Sequence, residues 1–327
     1  MDEQANQPVT TSQPNDVAVM EVRRKAYHDA VARDVDPFRL SDAFPMPDDL
    51  PALYGQLAEL KRYLDEFRPF DPHQVEKLRE IFDTEYTYHS NKIEGNTLTL
   101  RETDLVVNKG MTIGGKSLRE HFEAMNHAHA ITRIRSLAGR NAEIDEHVVR
   151  ELHALIMQGI DYDFPGRYRE ERVRIVGSQH VPPNFVKVPE LMTELYAFYE
   201  ANKAAMQPVQ LAAEMHEKFV TIHPFRDGNG RTSRLLMNLI LLRNGYPISV
   251  ISGDPSERLR YYETLEAAQI TQPVDNTAFQ RFIGETVHGW LIKYLEMVTI
   301  NGTERNKSKG AGFLAAIAPH LDQPPAP

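Results

Sequence analysis

The chain has 327 residues, of which 41% are hydrophobic, so it is long enough to bury a sizeable core. Its net charge of −9, without a basic stripe, argues against nucleic acid as a partner. The absence of cysteine excludes disulfides, thiol nucleophiles and cysteine-bound zinc.

The chain is predicted to begin with a tail and a helical region. Residues 1–16 are polar and punctuated by proline, which predicts a disordered tail. Residues 17–110 are predicted to form an N-terminal helical region, with a first short helix at 17–34. No apolar run approaches the length of a membrane span, and no signal peptide is recognisable. We therefore expect a cytoplasmic protein without a membrane partner.

A long helix is predicted between residues 71 and 95. Asp71-Pro72 forms a cap with proline in the first turn, and apolar residues then recur at helical spacing. Gly95 is a suitable terminator. Ser90 and Glu94 stand near the end, where the charge of Glu94 opposes the helix dipole. We therefore expect Glu94 to have a cationic partner elsewhere in the chain.

Two further elements precede the central motif. Ser117 and Glu120 have the spacing of a capping box, which predicts another helix at this point. Charged and apolar residues alternate over 172–177, as in a half-buried strand, and residues 181–188 could form the return arm of a hairpin. An isolated hairpin is marginal in a helical chain, so an irregular surface loop is the alternative.

Residues 223–234 combine more chemical groups than any other stretch. They lie between a helix predicted to start at Pro208 and an apolar, buried helix. His223 can act as a general base near neutral pH. Asp227 supplies a hard oxygen ligand of the kind that holds Mg²⁺ on substrate phosphates.

The second half of this motif is suited to binding phosphate. A helix N-terminus offers free N–H groups and a partial positive charge. Gly228 and Gly230 permit close approach of a ligand, and Asn229 between them can add an amide donor. Arg231 and Arg234 lie three residues apart, so they share a helix face and can grip phosphate oxygens.

Two regions complete the chain. Tyr261 and Tyr262 lie in a helical stretch from Pro255 to Gln269, and such a pair is most often divided between core and interface. Residues 298–327 turn polar and end in proline, so they are predicted to be a C-terminal tail.

Residues 223–234 resemble the signature of the Fic family, H-x-F-x-D/E-G-N-G-R-x-x-R, and every fixed position matches. The resemblance implies an all-α fold, a Fic-type helical bundle with one small β-hairpin flap, and a catalytic core at 111–297. It implies ATP and Mg²⁺ as substrate and cofactor. His223 becomes the base that deprotonates a target hydroxyl, and Asp227 the residue that holds Mg²⁺.

The resemblance also assigns the other residues of the motif. Gly228, Asn229 and Gly230 form the anion hole, while Arg231 and Arg234 contact the β- and γ-phosphates. Ser90, Glu94 and Gly95 match the family's inhibitory motif, S/T-x-x-x-E-G/N, in the subclass with an N-terminal inhibitory helix. The glutamate of that motif pairs with the second arginine, here Arg234.

The resemblance gives two further parts of the site. It makes Arg174, Ile175, Val176 and Gly177 the flap edge that docks an extended segment of the target by strand addition. It also makes Tyr262 a candidate contact for the adenine base.

The function implied is a protein adenylyltransferase that moves AMP from ATP to a Ser, Thr or Tyr hydroxyl of a target protein, with Glu94 as a brake. The target can include the chain itself, and a homo-oligomeric assembly stays open. Two alternatives stay open as well. One is the reverse reaction, hydrolysis of AMP from a modified target. The other is a nucleotide-sensing interaction module without turnover.

Overall fold

Helices make up the regular structure of the computed structural model, which describes residues 14–34, 36–271, 273–300 and 309–321. Within these ranges there are thirteen α-helices, one 3₁₀ turn at Phe185–Lys187 and no β-strand. The helices are α1 Pro14–Val31, α2 Leu40–Ala43, α3 Leu50–Asp65, α4 Pro72–Ile93, α5 Leu100–Lys109, α6 Leu118–Gly139, α7 Glu146–Met157, α8 Val188–Asn202, α9 Pro208–Ile222, α10 Asn229–Arg243, α11 Pro255–Ile270, α12 Thr277–Ile300 and α13 Ala311–Leu321. The all-α prediction is confirmed.

Helices α9 and α10 form the centre of the bundle and pack against each other. Every residue of α10 from Asn229 to Leu241 except Gly230 is buried, as the apolar sequence predicts. Helices α6 and α7 also contact α10, while α8 and α12 contact α9. The loop between α9 and α10 therefore has a rigid support on both sides.

The starts of α4 and α6 follow the predicted caps. Asp71 Oδ1 accepts from the N–H of His73 at 2.9 Å, at the beginning of α4. At α6, Ser117 and Glu120 form a reciprocal capping box. Helix α4 packs against α5 and α6 and also reaches α10. This packing brings the end of α4 to the centre of the bundle.

The predicted β-hairpin is not formed in the described residues. Residues 172–184 are an irregular loop, in which the N–H of Ser178 donates to the Ile175 carbonyl at 3.3 Å. Glu266 of α11 holds the loop by accepting from the Ser178 hydroxyl and the Gln179 N–H, each at 2.6 Å. A lone hairpin gains little from its own pairing, so these anchors decide the conformation.

The predicted tail at 298–327 contains a packed helix instead. Helix α12 continues to Ile300, and α13 packs against α1. Phe313 and Ile317 of α13 are completely buried, because apolar residues one turn apart give the helix a face that joins the core. Helix α1 begins at Pro14, so positions 14–16 of the predicted N-terminal tail are helical instead, whereas positions 1–13 lie outside the described residues.

None of the helices within the described ranges combines the length and the apolar character needed to cross a bilayer.

Phe313 is expected to be a major contributor to stability. Its ring lies 5.8 Å from that of Phe67 and about as far from those of Tyr27 and Tyr63. Phe313→Ala should lower the free energy of unfolding by about 3–5 kcal/mol, because such a cavity cannot fully collapse. Urea denaturation measures the change. The exposed control Ala315→Ser should stay within about 0.5 kcal/mol of wild type, and equal stability of all three proteins would contradict the packing of α13.

Candidate active site

The loop of residues 223–228 joins α9 to α10 through two residues with left-handed backbone conformation. His223 (φ 51°) follows the last residue of α9, and Gly228 (φ 77°) is the N-cap of α10. A Cβ on Gly228 would lie 3.1 Å from Met157 Sδ and 3.3 Å from His153 Cδ2. Both the backbone angle and the available space therefore favour glycine at this position.

Asn229 does not offer its amide to a ligand, in contrast to the sequence expectation. Its side-chain oxygen accepts from the N–H of Phe225 at 2.9 Å, and its amide nitrogen donates to the carbonyl of Phe225 at 2.8 Å. Asn229 is buried, so both polar groups of Phe225 depend on it. Its side chain fixes the shape of the loop, and only its backbone N–H is left for a phosphate.

His223 presents one ring nitrogen for chemistry. Its Nδ1 lies 3.3 Å from the Val220 carbonyl, an acceptor, so the proton of the neutral ring belongs on Nδ1. Burial is the main cause that lowers the pKa of His223 to about 4. The ring is therefore neutral near pH 7, and Nε2 carries the lone pair that a general base requires.

His223 lines a cavity of about 610 Å³. The walls come from the end of α4, the 172–184 loop, α9, the start of α10, and α11. The lining includes Glu94, Ile175, Val176, Gly177, Ser178, His223, Gly230, Arg234, Tyr262 and Gln269. The cavity therefore brings together residues predicted for the brake, the base, the phosphate site, the flap and the adenine contact.

Arg234 is buried and is held by the end of α4. Its Nε donates to the Ser90 hydroxyl at 3.0 Å, and Nη2 donates to Glu94 Oε1 at 2.6 Å. A Cβ on Gly230 would collide with that same oxygen, so glycine is needed for this pairing. Burial works to lower the pKa of Arg234, but the charge and hydrogen bond of Glu94, together with Tyr261 and Tyr86, raise it. Gly95 ends α4 with a positive φ of 95°.

Arg231 is as deeply buried as Arg234 but less well paired. Its Nη1 lies 3.4 Å from Glu123 Oε1, and its Nη2 lies 3.5 Å from Asp227 Oδ1. Neither Nε nor Nη1 makes a hydrogen bond within the described residues, and the same is true of Nη1 of Arg234. Buried donors without acceptors are costly, so this site favours an anionic ligand.

Asp227 lies beside these cations with about half of its side chain exposed. Its Oδ2 accepts from Arg119 at 2.7 Å, and Oδ1 accepts from the N–H of Gly228 at 2.6 Å. Partial burial works to raise the pKa of Asp227, but Arg231, the Gly228 N–H and Arg119 together lower it. The carboxylate is therefore ionised. No group of three or more acidic or histidine side chains suited to a metal occurs in the part of the chain that the structure describes.

The cavity wall formed by α11 contains Tyr262, the predicted contact for the adenine. The Tyr262 hydroxyl donates to the Ile93 carbonyl at 3.0 Å, so it meets the last residue of α4. Its neighbour Tyr261 is buried, and its hydroxyl lies 3.1 Å from His216 Nε2. Gln269 also lines the cavity, and its Nε2 is buried without a hydrogen-bond partner among the described residues. This amide is free to contact a ligand.

The 172–184 loop forms another part of the cavity wall and contains the predicted flap edge. Arg174 and Val176 are exposed, Val176 almost completely, and Gly177 turns the chain with a φ of 82°. Ile175, Val176 and Gly177 line the cavity, whereas Arg174 is not among the lining residues. Although no strand is formed in these described residues, this edge shares the cavity with His223.

His153 supports the site, a role that the sequence did not predict. Its Nδ1 accepts from the N–H of Gly166 at 2.8 Å, so Nε2 carries the proton and donates to the Asp227 carbonyl at 3.0 Å. Its ring stacks on Phe225 at 3.6 Å, and burial lowers its pKa to about 4. Its partners are 13 and 74 residues away, so no local pattern could reveal them.

Comparison with known proteins points to one family. The Fic/DOC family profile matches residues 143–241, which include α7 to most of α10 and the entire loop motif. A "Protein adenylyltransferase Fic" of Drosophila erecta is 33% identical over 290 residues, which are 88% of this chain and 54% of the relative. One from Aedes aegypti is 37% identical over 213 residues, 64% of this chain and 41% of the relative. The chain thus spans about half the length of these curated relatives.

Solved structures agree with the family profile. A Fic domain containing signalling protein from Bacteroides thetaiotaomicron has a TM-score of 0.66 at 29% identity, and the match covers 77% of this chain and 99% of that one. Fic-1 of C. elegans has a TM-score of 0.66 at 26% identity, over 86% of this chain and 82% of that one.

Replacing Asn229 should weaken the fold of the loop. Asn229→Ala leaves the buried N–H and carbonyl of Phe225 without partners, which should lower the free energy of unfolding by about 1–3 kcal/mol. The exposed Asn108→Ala serves as the control and should change stability by less than about 0.5 kcal/mol. Urea denaturation tests both. If Asn229→Ala kept full stability and lost only ATP affinity, the side chain would instead be a ligand donor.

Proposed function

The chain belongs to the Fic/DOC family, and on that premise we propose that it is a protein adenylyltransferase, which moves AMP from ATP to a hydroxyl side chain of a target protein. The observation that carries the proposal is one juxtaposition in the cavity. His223, with an unprotonated Nε2, shares the cavity with Gly230 and Arg234 at the start of α10, and Nη1 of Arg234 makes no hydrogen bond within the described residues. Arg231 is buried on the same helix but does not line the cavity.

The phosphates of ATP fit the positive end of α10. The first N–H groups of the helix have no acceptor inside it, and Gly228 and Gly230 leave them accessible. Arg231 and Arg234 supply planar donor groups for the β- and γ-phosphates. The cavity of about 610 Å³ continues to Tyr262 and Gln269, which we assign to the adenine. Its volume lies within the range typical of small-molecule sites.

The proposed reaction is a displacement at the α-phosphorus of ATP. Nε2 of His223 takes the proton of the target hydroxyl, and the oxygen then forms a bond to the α-phosphorus. The bond between this phosphorus and the bridging oxygen of the β-phosphate breaks, so pyrophosphate leaves. The low pKa of His223, caused mainly by burial, keeps Nε2 available for this proton near pH 7.

Asp227 is the residue we assign to Mg²⁺. It is an ionised carboxylate at the edge of the proposed phosphate site, and about half of it is exposed, so an ion bound to phosphates can reach it. A single carboxylate suffices, because Mg²⁺ is commonly held by one or two carboxylates together with substrate phosphates. The ion would neutralise phosphate charge. Arg119 donates a hydrogen bond to Oδ2 of Asp227, and this bond would have to break for Mg²⁺ to bind that oxygen.

We propose that Glu94 is a brake on this activity. Its carboxylate takes Nη2 of Arg234 and lies where a Cβ on Gly230 would collide, so it stands at the proposed phosphate site. Ser90 holds the same guanidinium from the preceding turn. While this contact persists, Arg234 is unavailable to the γ-phosphate, and ATP cannot adopt the reactive pose.

Residues 174–177 are the proposed docking edge for the target. The loop lines the same cavity as His223 and the start of α10, so an extended segment added to its free edge would pass close to the proposed base. We propose residues 111–297 as the catalytic core, a range that contains the entire family match. The target can be another protein or a second copy of this chain.

The reverse reaction is a second candidate, because Glu94 lines the cavity with about a third of its side chain exposed. In that reaction Glu94 would position water, whose oxygen would form a bond to the phosphorus of the attached AMP while the bond to the target oxygen breaks. Nε2 of His223 would take a proton from the water and pass it to the leaving target oxygen. A purely sensory module is the third candidate. Turnover in either direction distinguishes the enzymes from the sensor.

Removing the brake should reveal the activity. Glu94→Gly should raise labelling from α-labelled ATP, including self-labelling, by roughly tenfold or more, since a hydrogen bond between charged groups is worth about 1.5–3 kcal/mol. Glu94→Gln, which keeps the shape but loses the charge, should give a smaller increase. His223→Ala in the Glu94→Gly background should abolish labelling while leaving ATP affinity nearly unchanged. Glu94→Gly labelling no faster than wild type, with ATP still bound, would refute the brake.

Metal dependence should reside in Asp227. In the Glu94→Gly background, Asp227→Ala should lower turnover and weaken binding of ATP in the presence of Mg²⁺, with little change in stability, because the side chain is half exposed. Asp227→Asn is the matched control that keeps the shape and removes the charge. Rates across a Mg²⁺ titration provide the measurement. Equal rates for the parent and both variants at every Mg²⁺ concentration would exclude a metal role.

A further inference from the structure

Arg169 lies outside the loop motif and is almost completely buried, with 3% of its surface exposed. Its Nε donates to the His223 carbonyl at 2.8 Å, and Nη1 donates to the Glu171 carbonyl at 2.9 Å. Nη2 donates to the Pro183 carbonyl at 2.6 Å and, at 3.5 Å, to the Ile222 carbonyl. Within the described residues, every hydrogen-bond acceptor of this guanidinium is therefore a backbone carbonyl.

This arrangement is unusual for a buried cation, which generally needs a carboxylate partner. Burial lowers the pKa of Arg169. A guanidinium presents five donors in a rigid plane, so one side chain can satisfy several carbonyls that lie in different directions. Arg169 thus holds backbone conformation.

The backbone held in this way includes His223. Its left-handed conformation costs a residue with a Cβ about 1–2 kcal/mol, so surrounding contacts must maintain it. Arg169 binds the His223 carbonyl through its side chain and the Pro224 carbonyl through its own N–H, at 2.9 Å. It also occupies the carbonyl of Ile222, at the end of α9, where helix carbonyls lack internal partners. Arg169 therefore fixes the backbone on both sides of the bend at His223.

We propose that Arg169 is a positioning residue for His223, which holds the histidine backbone in its left-handed conformation so that Nε2 faces the cavity. The same guanidinium also couples His223 to the flap, residues 172–182. It binds the carbonyls of Glu171 and Pro183, which flank the flap at its two ends. A target segment docked on the flap is thereby set at a fixed distance from His223. This coupling rests on the proposed transferase function, whereas the positioning of His223 does not.

Three charged or titratable groups face His223. Arg169 lowers its pKa, Glu94 at the end of α4 raises it, and His180 of the flap lowers it, all in addition to the dominant effect of burial. Removing the charge of Arg169 should therefore raise the pKa of His223. Because the base must be unprotonated, the acidic limb of the rate profile should then move to higher pH.

The test uses the full chain with Arg169→Lys and Arg169→Met, each alone and with Glu94→Gly. Arg243→Met is the matched control, because Arg243 also donates to a backbone carbonyl, that of Ala142 at 2.7 Å, but lies outside the cavity lining. Two readouts are needed. One is the NMR titration of the His223 ring, assigned by its absence in His223→Gln. The other is self-labelling from α-labelled ATP as a function of ATP concentration and pH.

The expected result separates the three variants. Arg169→Met should lower kcat on the order of 100-fold, the size of loss that a misplacement of about 1 Å can cause, with little change in the KM for ATP. Its His223 titration and its acidic limb should move to higher pH. Arg169→Lys keeps the charge but loses the planar fork, so kcat should fall less and the titration should stay near that of the parent. Arg243→Met should lower the thermal midpoint without changing kcat or the titration.

Two outcomes would overturn the proposal. One is an unchanged His223 titration and an unchanged kcat in a folded Arg169→Met protein. The other is equal loss of kcat in Arg169→Lys and Arg243→Met, which would make Arg169 a structural residue only. If Arg169→Met does not fold, Arg169→Lys decides, and parent-like kcat with a parent-like His223 ring environment would reject the positioning role. If no variant labels itself or any protein of an added lysate, the transferase function fails, but the titration still decides the positioning of His223.

Discussion

The structure depends on the burial of two guanidinium groups at the start of α10. Arg231 and Arg234 each have at most 2% of their surface exposed, and three of their nitrogens lack acceptors within the described residues. A buried cation without a full set of acceptors is unfavourable, so the surrounding helices supply anions. These anions are Glu94 at the end of α4, Glu123 on α6 and Asp227 in the 223–228 loop. The packing of α4 and α6 around α10 follows from this requirement, and so does the capacity to accept an anionic ligand.

The histidines near these cations are kept neutral. Burial lowers the pKa of His153, His216 and His223, and an arginine charge lowers each further, that of Arg231 for His153, Arg234 for His216 and Arg169 for His223. A neutral ring can use one nitrogen as a donor and the other as an acceptor. His153 uses Nε2 to hold the Asp227 carbonyl and Nδ1 to accept from the N–H of Gly166, whereas His223 uses Nδ1 and leaves Nε2 without a hydrogen bond within the described residues. The same electrostatic environment thus produces a structural residue and a candidate base, and hydrogen bonding decides which is which.

The site is also tied to its surroundings by contacts to backbone carbonyls. Arg169 connects the end of α9 to both ends of the flap, and the Tyr262 hydroxyl connects α11 to the end of α4. In the proposed reaction, the base and the flap would therefore move as one unit. The adenine contact and the brake would likewise be linked, because Tyr262 would meet both the nucleotide and the helix that carries Glu94.

The sequence by itself determined the helical fold, the buried α10, the caps of α4 and α6, and the collection of polar groups in residues 223–234, because helical periodicity and capping act over a few residues. It also predicted that Glu94 needs a cation, since the helix dipole is local. Only the tertiary structure decided the rest. Arg169 meets His223 across 54 positions, and the pair of Arg234 and Glu94, which the family motif implied, closes across 140. The Asn229 side chain bonds to the Phe225 backbone. Hydrogen bonds to α11 and α9 hold the flap in place of strand pairing. Each of these contacts joins polar groups whose partners are chosen by packing, which no local pattern records.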